Sequence, residues 1–190
     1  MKEVLRQKML KKRSDVSKSK ILEKSNQIKK RLFKMKEFNQ ARAILFYVSY
    51  DNEVYTHNMI KECVSNGKHV IVPVTNKENR SLILSKLENW DDLDYGNYGI
   101  LEPGKEHVKE VSLDVIDLII IPGVAFDERG YRIGHGMGYY DGLLVNSTKA
   151  IHIGLAFEFQ LVDEIPVEEH DMKVDKIVTE GRIINCTDTM

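Results

Sequence analysis

The chain has no long apolar run. Nothing in it approaches the roughly 20 consecutive apolar residues that a membrane-spanning helix needs, so the sequence predicts a protein that works in water. Its start, MKEVLRQKMLKKRSD, is charged but has no apolar core and no small-residue cleavage site, and it does not read as a secretory signal. Cysteine is scarce. Cys63 and Cys186 stand alone, without the paired spacing of a zinc or redox site, which points to a reduced, cytoplasmic setting. There is no internal repeat and no low-complexity tract. No Gly-Lys-Ser/Thr occurs, which excludes the common nucleotide-binding P-loop, and the one glycine cluster is spaced GxGxG rather than the dinucleotide-binding GxGxxG.

What is present bounds a single globular domain. The 190 residues are 42% hydrophobic and 30% charged, enough apolar mass for a core. The net charge of −1 hides an asymmetry: residues 1–36 hold 14 Lys/Arg and 3 Asp/Glu, the remaining 154 hold 14 and 26. Such a basic arm can serve nucleic acid, or it can be the solvated face of helices with a few cations aimed at a phosphate. A nucleic-acid arm needs aromatic platforms among its cations, and residues 1–36 contain only Phe33. The sequence therefore favours the second reading, with small-molecule partners, no nucleic acid and no membrane. A monomer is the expected state, with a dimer the alternative.

Hydrophobic periodicity predicts helices over 1–13 and 16–38, with Ser14, Asp15 and Ser17 as capping residues between them. Apolar runs predict buried strands at 41–50, 69–74, 81–87, 115–122 and 149–157, and a last strand or hairpin near 175–185. A helix over 55–65 is closed by Gly67, and another short one starts at Tyr139. The polar, Gly-rich stretch 88–106 reads as a long loop with at most one helical turn, and Trp90 and Tyr98 within it are suited to covering a flat ring. Strands alternating with helices predict an α/β domain: one three-layer α/β/α unit spanning 1–190, with a mainly parallel, Rossmann-like sheet preceded by N-terminal helices. Ligands in such folds bind beyond the carboxyl ends of the strands.

That rule directs attention to IPGVAFDERGYRIGHGMGYYDGLL, residues 121–144, directly after the most hydrophobic strand. Gly134, Gly136 and Gly138 alternate, so successive backbone N–H groups can converge on an anion without side chains in the way. The helix start near Tyr139 adds a positive dipole end. Arg132 offers a two-pronged fork to phosphate oxygens, and Asp141 is a hard ligand for a divalent cation. Together they describe a cradle for a nucleotide triphosphate with magnesium. Asp127, at the mouth of the stretch, reads as a turn former.

The same stretch resembles the signature of the 5-formyltetrahydrofolate cyclo-ligase (5,10-methenyltetrahydrofolate synthetase) family. Four further segments resemble family motifs in the same order: KEVLR (2–6), SYDNEVYT (49–56), YGILEP (98–103) and IGLAFEFQLVDEIPVEEHDMKVDKIVTE (153–180). The resemblance implies a ligase that uses ATP and Mg2+ to cyclise 5-formyltetrahydrofolate to 5,10-methenyltetrahydrofolate through a phosphorylated formyl intermediate. It implies the fold of sugar-phosphate isomerases and CoA transferases. Residue by residue, it implies ATP contacts from Lys2, Arg6, Arg132, Ile133, Gly134, His135, Gly136, Met137, Gly138, Tyr139 and Tyr140. Folate contacts fall to Val48, Glu53, His135 and Tyr139, magnesium to Asp141 and Asp171, and catalysis to Arg132 and Tyr139. His135 and Met137 stand where some members carry Arg and Lys, which leaves fewer cations over the phosphates.

Overall fold

The structure, a computed structural model, describes residues 1–186. Two helices come first, α1 (Lys2–Ser14) and α2 (Lys18–Leu32). Ser17 caps α2, and both helices carry cations in their last turns, where the partial negative charge of the helix end favours them. The helix predicted to run to residue 38 breaks after Leu32. Lys34 is the turn: the Asn39 side chain takes the carbonyls of Phe33 and Met35 at 3.1 and 2.8 Å. The chain restarts as α3 (Lys36–Gln40), which lets Phe33 stack on Phe38 at 4.4 Å.

The sheet follows: β1 (Ala43–Leu45), α4 (His57–Ser65), β2 (His69–Asn76) and β3 (Ser81–Leu87). Next come a small ribbon, β4 (Leu93–Tyr95) with β5 (Leu101–Pro103), then β6 (Leu118–Ile121) and a second ribbon, β7 (Ala125–Phe126) with β8 (Arg132–Ile133). The chain ends through α5 (Tyr139–Leu144), β9 (Ile151–Leu155), β10 (Lys176–Val178) and β11 (Ile183–Asn185). The main sheet has seven strands in the order β11-β10-β9-β6-β1-β2-β3. The five from β10 to β2 run parallel, and β11 and β3 close the two edges antiparallel.

Both faces of the sheet are covered, which is why its strands read as continuous apolar runs. Along β6, Leu118 and Ile120 join the cluster under α2, α3 and α4, while Ile119 and Ile121 join the opposite cluster with Leu144 of α5. The three-layer α/β/α architecture is as the sequence predicts. Several boundaries are not. The 41–50 run leaves the ladder after β1, and the long loop contains the β4–β5 ribbon plus short 3-10 turns at Trp90–Asp92 and Asn97–Gly99. Trp90 packs against His57 (4.9 Å between rings) and under Lys61, so it pins this loop to α4. The β7–β8 ribbon, two residues a side, is too short to leave a periodic signal.

That ribbon is fastened to the sheet by one ring. Phe126 is fully buried, and a Cβ at Gly123 or Gly154 would lie 2.5 or 2.6 Å from it. Asp127, also fully buried, turns the ribbon by accepting from the backbone N–H groups of Arg129, Tyr131 and Ile165. Gly154→Ala should therefore overpack this corner and destabilise the protein by about 1–3 kcal/mol. A chemical-denaturation curve checks it; an unchanged midpoint would show that Phe126 moves aside without cost.

Both cysteines are buried and unpaired, and burial pushes each thiol up to about 12. Neither is in a reactive state.

Candidate active site

The sheet order reverses beside β1: its neighbour on one side is β2 and on the other β6. A crevice opens where the connections diverge, at the carboxyl ends of these strands. It has a volume of about 550 Å³ and takes Tyr47 and Val48 from the end of β1, Pro73 and Thr75 from β2, and Pro122 and Gly123 from beyond β6. That is the size of a ligand pocket. It also explains the early departure of the 41–50 run from the sheet: Tyr47 and Val48 are buried as cleft wall rather than as strand.

One wall is cationic. β8 delivers Arg132, whose side chain is 3% exposed, and the chain then enters the glycine loop. Gly136 and Gly138 have φ of 93° and 73°, a left-handed backbone that costs glycine nothing and other residues a good deal. Arg132 Nη2 donates to Asp141 Oδ1 at 2.9 Å, while its buried Nε has no partner among the described residues. Burial lowers the pKa of this guanidinium, and Asp141 acts in the opposite direction. Arg6 reaches the loop from α1 and donates through Nε to the Gly134 carbonyl at 2.9 Å. Lys2, one turn earlier, pairs with Asp171 and lies 3.2 Å from Glu168. Burial works against the Lys2 charge, but these two carboxylates outweigh it and its pKa is raised. For Asp171 burial is likewise overcome, by Lys2 and the Glu168 N–H, and its pKa is lowered. The helix that follows the loop, α5, has only six residues. A helix this short adds little of the positive end that the sequence suggests at Tyr139.

The other wall holds a buried acid. Glu53 is 5% exposed and accepts from the Tyr50 N–H at 3.2 Å. Its other oxygen lies 3.2 Å from His135 Nε2 and 3.9 Å from Arg13 Nη1. The variable histidine of the glycine loop thus touches the acid on the opposite wall. Tyr139 is partly exposed and meets Tyr98 at the rim, and burial, together with the hydrogen bond to Tyr98, raises its phenol pKa.

Residues 1–180 match the sequence profile of the 5-formyltetrahydrofolate cyclo-ligase family. The chain belongs to that family. The cyclo-ligase of Mus musculus is 32% identical over 154 residues, 76% of each chain, and that of Escherichia coli K12 is 32% identical over 146 residues, 75% of this chain and 80% of that one. The solved 5,10-methenyltetrahydrofolate synthetase of Aquifex aeolicus superposes with a TM-score of 0.87 at 31% identity, covering 100% of this chain and 94% of that one. The protein is accordingly a member of a ligase family, and its fold is the family's.

All fifteen residues the sequence singles out as cyclo-ligase site residues line the one cleft, from Lys2 to Asp171. Magnesium fits by donor chemistry: Asp141 and Asp171 present carboxylate oxygens, the ligands a hard cation takes. Each already faces a cation of the protein, Arg132 and Lys2, so both are charge-balanced in the free enzyme. Among the described residues the one group of three metal-type donors is Glu168, His170 and Asp171, within 4.8 Å of one another, and Asp141 is not in it.

Glu168 and His170 escaped the sequence reading, and so did Arg13, Glu102 and Tyr50. Arg13 is 1% exposed behind Glu53, its Nη2 3.6 Å from Asp51. Fourteen cations in 36 residues look alike in sequence, and nothing marks this one as buried except its place one helical face along from Lys2 and Arg6. Glu102, 6% exposed, lines the cleft and accepts from the Thr75 N–H at 3.0 Å. Its position in YGILEP was the available signal. Tyr50, whose hydroxyl lies 3.3 Å from His135, had none.

Proposed function

We propose that this chain converts 5-formyltetrahydrofolate to 5,10-methenyltetrahydrofolate with consumption of ATP, in the presence of magnesium and in the cytoplasm. The observation that carries this reading is the juxtaposition in one cleft of a buried arginine beneath a bare glycine loop and a buried glutamate on the facing wall. The first suits polyphosphate; the second suits the amino and ring N–H donors of a pterin edge.

The formyl oxygen attacks the terminal phosphorus of ATP, the bond to the bridging oxygen breaks, and ADP leaves. The neighbouring linker nitrogen then closes on the activated carbon and loses its proton, and the carbon–oxygen bond breaks as phosphate departs. An amide oxygen is a poor leaving group and phosphate a good one, so the protein's task is positioning and charge stabilisation. Lys2, Arg6 and Arg132 bind phosphate oxygens, and the loop N–H groups converge on them. Glu53 orients the pterin, with Val48 and Tyr139 against it. Asp141 and Asp171 would hold magnesium, which neutralises charge on the phosphates when bound.

The test is a spectrophotometric assay near neutral pH with purified protein, ATP, magnesium and 5-formyltetrahydrofolate. Methenyl absorbance should grow only when ATP is present and should collapse when magnesium is chelated. ATP-independent product, or none from folded protein, would overturn the reading.

A further inference from the structure

Among the described residues, three buried side-chain polar atoms lack a partner: Arg13 Nη1, Arg132 Nε and the Tyr140 hydroxyl. Arg132 and Tyr140 line the cleft, and Arg13 stands behind its Glu53. A buried group without a hydrogen bond costs about 1–3 kcal/mol, so each asks for an explanation. Arg13 has one in the neighbouring charges of Glu53 and Asp51. Arg132 has one in the phosphate it is built to meet. Tyr140 has none yet.

The other tyrosines of the cleft are accounted for. The buried Tyr47 donates through its hydroxyl to the Val54 carbonyl at 3.0 Å, so it holds the wall together. Tyr50 reaches His135, and Tyr139 meets Tyr98 at the rim. Tyr140 differs in both respects that matter. Its hydroxyl is shut off from solvent, yet its side chain lines the cleft. The Arg132 guanidinium lies 5.9 Å from the centre of its ring. The side chain thus stands beside the phosphate-side cation, in the cleft whose facing wall is Glu53.

On the functional reading above, the junction of those two walls is where the two substrates meet. We propose that the Tyr140 hydroxyl is a catalytic hydrogen-bond donor to the formyl oxygen as that oxygen takes the phosphoryl group. The donor is unpaired in the free enzyme because its partner arrives with the substrate. As an ordinary neutral phenol it donates a hydrogen bond and stabilises charge on the oxygen without acting as a base. This role is distinct from packing against nucleotide and moves the chemistry from Tyr139 to its neighbour.

The test is Tyr140→Phe, which deletes one oxygen, run beside the wild type. Expected for Tyr140→Phe is a loss in kcat on the order of 10²-fold, with the Michaelis constants for ATP and folate within about threefold of wild type, as for an interaction made only in the transition state. The ligand-free variant should melt no lower than wild type, because an unsatisfied hydroxyl has been removed. Undiminished kcat in Tyr140→Phe would overturn the proposal. So would a lowered melting temperature of the ligand-free variant, which would reveal a structural partner, or a loss confined to either Michaelis constant. If the wild type itself gave no ATP-dependent product, the functional reading would fall first, a result separable from any of these.

Discussion

Arg132→Met is expected to lower kcat by on the order of 10²–10³-fold while leaving the ligand-free protein at least as stable as the parent. Two facts combine to give this unusual pairing. The guanidinium is almost completely buried, and burial already depresses its pKa, so the fold bears a desolvation cost to keep it. Methionine matches its length and fills the space without that cost. Asp141, which loses its partner, has a side chain 27% exposed and can turn to water. Steady-state kinetics alongside a melting curve decides the matter. A variant with kcat and the ATP Michaelis constant both intact would remove Arg132 from the reaction. A variant that lost activity only by unfolding would make it a structural residue.

Glu53→Gln should separate along the other substrate. Glutamine retains an acceptor for the Tyr50 N–H but cancels the charge that faces Arg13 and His135. The expected loss in kcat/KM for the folate is about 10²-fold, equivalent to about 2.7 kcal/mol, with ATP binding unchanged in calorimetry. Stability should fall too, by about 2 kcal/mol. That is less than the roughly 3–5 kcal/mol for breaking an isolated buried pair, because Asp51 stands 3.6 Å from the same arginine. Equal losses toward both substrates would place Glu53 in the framework rather than against the pterin.

The parts of the fold that were legible in the sequence are those with one dominant physical cause. LIII of β6 is buried on both faces, and its short, β-branched apolar run next to Pro122 reads as a strand covered on both sides. The alternating glycines of 134–138 need φ values or approaches that side chains resist, and two of the three adopt them. Lys2 and Arg6 share a helix face by spacing alone. The illegible parts have competing causes. Tyr47 and Val48 are as apolar as strand residues, yet a cleft wall and a sheet bury them equally well. Phe33 continues the helical period, and the helix stops there because Asn39, six residues on, captures its carbonyl. Arg13 carries the same charge as its exposed neighbours Lys11 and Lys12, and only the tertiary position of Glu53 distinguishes it. Orphaned atoms such as the Tyr140 hydroxyl are defined by missing partners, which no linear pattern records.

Lys2, Arg6, Met9 and Arg13 recur at intervals of four, three and four along α1, and each is turned inward. They touch, in order, Asp171, the Gly134 carbonyl, the small cluster around Ile133 and Ile165, and Glu53. A single rod of thirteen residues, about 20 Å long, is therefore laid like a ruler across both halves of the cleft. A rigid ruler cannot slide at one end and stay at the other. On the proposed function, whatever seated polyphosphate against Lys2 and Arg6 would also set the distance from Arg13 to Glu53, and the reverse would hold by linkage. The two substrates of that reading would then need no relay through the sheet to sense each other, because one helix would gauge both.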